Sequence, residues 1–253
     1  EEVHFPSDAS AYQIAQRTLC VNLSDMAAMG ATPRWFMLAL TLPHKKANEQ
    51  WLKEFSAGLS EIAVDYNCAL IGGDTTAGPL TITITMLGEV PLTEGLVRSG
   101  AITGDRVYVT GFLGDGAAGL LAAKKTNTFK NMNKNVSERL LLKFYKPLPQ
   151  INIGLKIRGL ASACIDISDG LVADLGHICK SSGVTASVDS RRLPIHPDLA
   201  SNFQDQCLDW ALFGGDDYQL CFTVPAENYQ MVDDWISRGE LDATWIGSII
   251  PCS

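Results

Sequence analysis

The sequence predicts an α+β fold in two domains, 1–92 and 93–253. Three observations carry this. Helical and strand periodicities follow one another without the strict alternation of a doubly wound sheet. The 253 residues, 46% of them apolar, suit one large domain or two smaller ones and can bury a sizeable core. Pro91 and the turn-rich stretch through Gly104 read as a connection between structured units.

In the first unit, residues 10–31 place Ile14, Leu19, Leu23 and Met26 at helical spacing, with Gly30 as a stop. Trp35–Leu42 reads as a buried strand, and residues 46–66 return to helical spacing through Trp51, Leu52, Phe55, Leu59 and Ile62. Cys68–Ile71 reads as a short strand that breaks off at Gly72-Gly73-Asp74-Thr75-Thr76. Leu80–Leu87 alternates Thr with Ile or Met, the pattern of a half-buried strand. In the second unit, Val107–Thr110 is a strand and Gly114–Lys125 a loop leading into a helix. The polar stretch 126–138 reads as a mobile loop, and Pro147 and Pro149 break the chain again. Ala163–Ile167, Thr185–Val188, Tyr218–Val224 and Thr244–Ile250 read as strands, and Leu171–Lys180 as a helix.

Composition excludes several classes of function. Twenty basic against 28 acidic residues give a net charge of −8, which disfavours a phosphate backbone as partner. No apolar run approaches the roughly 20 residues of a membrane span. Seven cysteines, an odd number without a C-x-x-C pair, read as reduced thiols in a cytoplasmic protein. The start, Glu1-Glu2-Val3-His4, is neither basic nor apolar and is not a signal peptide. It also lacks Met, so the chain is expected to begin part-way into a longer protein. Gly114-Asp115-Gly116-Ala117-Ala118-Gly119 matches the dinucleotide fingerprint G-x-G-x-x-G between a strand and a helix. The second strand with its terminal acid does not follow, so a tight turn with small helix-packing residues is the better reading. No P-loop and no G-x-S-x-G elbow occurs, and the four histidines are scattered.

The informative pattern is Asp beside Gly, Ser or Thr at the ends of apolar segments. It occurs as Asn22-Leu23-Ser24-Asp25, Gly72-Gly73-Asp74-Thr75-Thr76, Asp166-Ile167-Ser168-Asp169-Gly170 and Gly214-Gly215-Asp216-Asp217-Tyr218. Short carboxylates on rigid strand ends are hard oxygen donors for Mg²⁺, with phosphates completing the shell. Each motif alone has a plainer explanation: Asp169 can cap the helix from Leu171, and Asp74-Thr75 can form a turn bonded to its own backbone. Asp166 and Asp169 together can face one cleft from either side of a turn. The four motifs in one acidic chain favour metal-assisted phosphoryl chemistry.

Val21-Asn22-Leu23-Ser24-Asp25-Met26-Ala27-Ala28-Met29-Gly30-Ala31, the Gly-Gly-Asp-Thr-Thr run, Arg98-Ser99-Gly100-Ala101 and Ile165-Asp166-Ile167-Ser168-Asp169-Gly170-Leu171 resemble the thiamine-monophosphate kinases. These belong to the superfamily of aminoimidazole ribonucleotide synthetase and selenophosphate synthetase. The resemblance runs along essentially the whole chain. It implies an N-terminal domain that binds ATP and metal and forms a dimeric β-barrel, and a C-terminal α/β sandwich-like domain. It implies a cytoplasmic homodimer that transfers phosphate from ATP to thiamine monophosphate with several Mg²⁺ ions. Asp25, Asp74, Asp166 and Asp169 would be metal ligands, and Asp74 and Asp169 would act in catalysis through the metal, with no general base. Gly73, Asp74, Arg98 and Ser168 would contact ATP, and His4 and Asp216 the thiamine phosphate. Without the resemblance, Arg98 is equally a surface arginine near a turn.

The sequence departs from the family in two ways. The family carries Glu where Asp216 stands, one methylene longer. It also has several dozen residues before residue 1, with a Gly-Asp-Asp metal loop and a Ser-Thr-Asp strand, and a C-terminal segment with an aromatic substrate contact. The chain thus resembles a trimmed kinase and is expected to turn over poorly alone. Two rival readings remain at this point: another ATP-dependent enzyme of the superfamily, and a non-catalytic cation-binding or dimerisation fragment.

Overall fold

The computed structural model describes residues 4–129 and 132–252. The first unit is a three-stranded mixed sheet, β2-β1-β3, backed on one face by two helices. Helix α1 (Ala11–Ala28) opens with a capping box, in which the Ser10 hydroxyl accepts from Gln13 N and the Gln13 side chain accepts from Ser10 N. Strand β1 (Thr32–Leu42) leads into α2 (Glu49–Asp65), which Asn48 caps. The chain then returns as β2 (Ala69–Ala77), parallel to β1, while β3 (Thr81–Glu89) lies antiparallel on its other side. Phe36 and Leu40 of β1 pack against Ile14, Leu19 and Leu23 of α1 and Phe55, Leu59 and Ile62 of α2. The other face carries no helix of the described residues, and Trp35, Met37 and Leu87 stand exposed.

β2 does not stop at Ile71 as its sequence suggests. The register to β1 breaks at Ile71, which falls in an irregularity between Leu70 and Gly72, and then resumes through Gly-Gly-Asp-Thr-Thr, with Leu38 opposite Gly73 and Ala39 opposite Asp74. Gly73 holds φ at +143°, and a Cβ there would meet the Leu38 carbonyl oxygen at 1.8 Å. The glycine is what lets the two strands close.

The second unit is a five-stranded sheet in the order β5-β7-β4-β8-β6, its described pairs all antiparallel. Its strands are β4 (Arg106–Thr110), β5 (Ala163–Asp166), β6 (Thr185–Val188), β7 (Leu220–Val224) and β8 (Ala243–Ile250). Helices α3 (Asp115–Ala123), α4 (Lys134–Tyr145), α5 (Ile151–Ile157), α6 (Leu171–Ser182), α7 (Pro197–Asn202), α8 (Cys207–Phe213) and α9 (Tyr229–Ser237) surround it. Val107, Val109 and Ile165 face α6 through Leu171, Leu175 and Ile178. On the opposite face, Tyr108 stacks on Phe222 at 5.5 Å, in one core with Met26 and Ala27 of α1. α1 therefore belongs to the cores of both units, and this fixes its polar residues against β5.

The polar stretch 126–138 is not simply a loop. Residues 127–129 form a short 3-10 turn, and α4 starts at Lys134 behind Asn133, whose side chain accepts from Asn135 N; residues 130–131 lie outside the described part. α4 forms because Leu140 and Phe144, one turn apart, are buried. The short helices α5, α7 and α8, six or seven residues each, carry too few turns to show a period in sequence.

Candidate active site

Two acidic residues far apart in the chain meet where α1 crosses the end of β5. Asp25, Asp166 and Arg98 line one cleft of about 210 Å³. Asp166 is buried at the strand end, and the Ser24 hydroxyl donates to its Oδ2 at 2.7 Å. Burial raises the Asp166 carboxyl, with the Ser24 hydrogen bond opposing. Asp25 still reaches solvent at the rim of the cleft, but partial enclosure there, and then the charge of Asp166, push it up to about 6 against the pull of Arg98. A buried carboxylate and one at the cleft rim, with one arginine opposing them, form a site that a cation would relieve.

Asp169 sits one turn further on, where β5 passes into α6. The backbone N–H groups of Ser168 and Asp169 both donate to Asp174 Oδ2, at 3.0 and 2.9 Å. Asp174, buried in the first turn of α6, thus holds the turn from which the Asp169 carboxylate stands exposed. Ser168, Asp169 and Asp216 share a second cleft of about 440 Å³ with Trp210. The Ser168 carbonyl accepts from Asp216 N at 2.9 Å and fixes the approach of the two loops.

Asp216 adopts φ +69°, and its Oδ1 accepts from Arg17 Nη2 at 2.6 Å and Tyr218 Oη at 3.0 Å. The next residue, Asp217, is buried and accepts from Gly114 N at 2.7 Å and Gly116 N at 2.8 Å. The G-x-G-x-x-G loop is therefore occupied by a carboxylate of the protein itself, which physically accounts for its failure as a dinucleotide site. His4 is exposed beside Arg17, Phe5 and Tyr218 in a third cleft of about 420 Å³.

Gly73 and Asp74 stand apart from these clefts. The register opposite Ala39 puts Asp74 on the helix-free face of the first sheet, where its Oδ1 accepts from Thr75 N at 2.8 Å. Among the described residues no three His, Cys, Asp or Glu side chains stand in metal-holding geometry. The donor chemistry of the Asp25–Asp166 pair still fits Mg²⁺, which commonly takes one or two carboxylates and completes its shell with water and phosphate.

The chain matches the family model of the AIR synthase related protein N-terminal domain over residues 1–90 and that of the C-terminal domain over residues 103–252. A thiamine-monophosphate kinase of Salmonella typhimurium is 45% identical over 97% of this chain and 75% of its own length. The chain belongs to the thiamine-monophosphate kinase family. A crystal structure of the thiamine-monophosphate kinase of Stenotrophomonas maltophilia superposes with a TM-score of 0.92 at 42% identity, covering 100% of this chain and 80% of that one. A second structure, AaThiL complexed with AMPPCP and TMP, gives a TM-score of 0.89 at 31% identity, covering 100% of this chain and 79% of that one. The expected two-domain α+β fold of the family is thus the fold observed.

Membership of the kinase family makes the crowded carboxylates a testable sign of function, because binding sites commonly trade stability for chemistry. Asp25 has a folded-state value near 6, above the 3.8 of an ordinary Asp. The folded protein therefore holds this proton longer than the unfolded chain, and its stability falls as pH rises from 3.8 through 6. Asp25→Asn removes that penalty. In chelator, the variant is expected to melt above wild type at pH 8 and level with it at pH 4. Equal melting temperatures at both pH values would show that the Asp25 carboxyl is not raised in the folded protein.

Arg17 and Asp174 organise the site without standing in any of the sequence motifs, and the backbone-binding role of Asp217 is not apparent from the motif that contains it. Arg17 is a lone cation on a buried helix face, and a buried charge demands an anionic partner. Asp174 follows the Asp166–Gly170 motif and Asp217 stands inside the Gly214–Tyr218 motif, but acidic residues that bond backbone N–H groups look in sequence like solvated ones.

Proposed function

We propose that the chain phosphorylates thiamine monophosphate to thiamine diphosphate at the expense of ATP, as a Mg²⁺-dependent kinase. The observation that carries this is the meeting of Asp25, Asp166 and Arg98 in one cleft, with Asp169 one turn away. The neighbour that holds AMPPCP and TMP supports it. Asp25, Asp74, Asp166 and Asp169 would hold the metal. Gly73, Asp74, Arg98 and Ser168 would face ATP, and His4 and Asp216 the acceptor.

The acceptor is itself a phosphate, whose second pKa is about 6, so it is mostly dianionic at neutral pH and needs no general base. The barrier is repulsion between two anions, and what helps is positioning and charge neutralisation. Bound Mg²⁺ would supply the neutralising charge. The chain's own part is to hold Asp25 and Asp166 on two rigid elements, to offer Arg98 to a phosphate oxygen, and to aim Asp169 through the Asp174 clamp.

Full-length protein given ATP, Mg²⁺ and thiamine monophosphate should form thiamine diphosphate, read by fluorescence after oxidation to thiochrome. ADP release with no thiamine diphosphate would point instead to another acceptor within the superfamily, and no nucleotide turnover to a binding module. We further infer a homodimer built on the helix-free sheet face, where Trp35, Met37 and Leu87 form an exposed apolar patch. Met37→Lys should convert it to a monomer in sedimentation velocity; a dimer unchanged by the substitution would place the interface elsewhere. The domain boundary near residue 92 and a cytoplasmic setting, which suits seven unpaired cysteines, complete the reading.

A further inference from the structure

Arg17 is a cation in the wrong place for a mere surface residue. It is 4% exposed on α1, and burying a guanidinium costs several kcal/mol unless its donors are met. Three segments meet them. Nε donates to the His4 carbonyl at 3.0 Å, Nη1 to the Phe144 carbonyl at 2.6 Å, and Nη2 to Asp216 Oδ1 at 2.6 Å. The guanidinium also lies over the Phe144 ring at 4.1 Å and 5.8 Å from that of Tyr218.

A purely structural cation could tie any three segments. Two of these three carry the residues assigned to the acceptor, His4 and Asp216, and Arg17 itself lines the cleft beside His4 and Tyr218. The hydrogen bonding at Asp216 is also one-sided. Arg17 and Tyr218 both donate to Oδ1, and no hydrogen bond of the described residues reaches Oδ2. The carboxylate is thus held by one oxygen and keeps the other for a ligand. Thiamine offers a complementary chemistry, a cationic thiazolium and an aminopyrimidine whose amino group donates.

We propose that Arg17 is a positioning residue for the acceptor: it fixes Asp216 and the His4 segment so that Asp216 Oδ2 meets the thiamine moiety. It acts on thiamine phosphate recognition and not on ATP. The inference rests on the kinase reading given above.

The test is steady-state kinetics on the full-length protein, with both substrates varied. Losing a charge-assisted hydrogen bond should raise KM for thiamine monophosphate about tenfold in Arg17→Met. KM for ATP should stay within about twofold. Arg17→Lys, which keeps the charge but not the fork, should show about a threefold rise. Adding Asp216→Asn to either variant should cause no further loss beyond the worse single change, because the two residues act as a unit. If Arg17→Met fails to fold, the Arg17→Lys and Asp216→Asn cycle carries the same comparison. Equal losses toward both substrates, an unchanged KM in Arg17→Lys, or multiplying losses in the double variant would overturn the proposal. Wild type that makes no thiamine diphosphate sinks the kinase reading instead. The Arg17 inference is then read from the calorimetric Kd for thiamine monophosphate, where the same tenfold weakening supports it. Equal affinities, or no binding by wild type, overturn it.

Discussion

Asp169→Asn in the full-length protein is expected to lower kcat by about 10²–10³-fold, the loss typical when one preorganised charge at a reacting group is removed. The fold should be untouched. The Asp169 side chain is exposed and takes part in no hydrogen bond among the described residues; the clamp at this turn uses its backbone N–H and the Asp174 carboxylate. A surface change of this kind moves the melting temperature by no more than about 2 °C. The isosteric amide keeps shape and loses only charge, so the two readouts separate chemistry from stability. Unaltered kcat would remove Asp169 from the catalytic set. A large fall in melting temperature would mean that its carboxylate braces the turn.

Gly73→Ala is expected to act through the fold first. The position lies at φ +143°, a conformation L residues avoid, and the new Cβ would meet the Leu38 carbonyl oxygen at 1.8 Å. Strain and overpacking together should cost roughly 3 kcal/mol or more. For a chain of this size that is a melting temperature lowered by about 6–12 °C. The family resemblance assigns Gly73 to ATP, where glycine would allow a phosphate to approach. The structure supplies an independent reason, the closeness of β2 to β1. A variant with wild-type melting and a raised KM for ATP alone would show that the glycine serves the ligand and that the strands can relax.

Much of this architecture is legible in the residues because the periodic segments are long. α1 and α2 span 18 and 17 residues, enough turns to show an apolar face. β3 alternates because one of its faces is buried and the other is not. What was illegible is illegible for physical reasons. β2 runs through Gly-Gly-Asp-Thr-Thr against its local propensity because the neighbouring strand dictates the pairing. α4 hides in a polar stretch because only Leu140, Phe144 and Tyr145 of its twelve residues are buried. Asp25 and Asp166 could be named as candidates from their neighbours, but their convergence depends on α1 lying across the end of β5, a contact between residues 141 positions apart that no local spacing encodes. Asp74 was named by the same reasoning and lies on a different face. Arg17 was missed because its partners, Phe144 and Asp216, are distant in sequence.

The central claim is that carboxylates gathered from distant parts of the chain hold the cations that bring two phosphates together. Anomalous diffraction tests it most directly, from crystals of the full-length protein grown with Mn²⁺, AMPPCP and thiamine monophosphate. The account predicts manganese peaks within about 2.5 Å of carboxylate oxygens of Asp25, Asp166 and Asp169. Bound nucleotide with no manganese at these three side chains would contradict it.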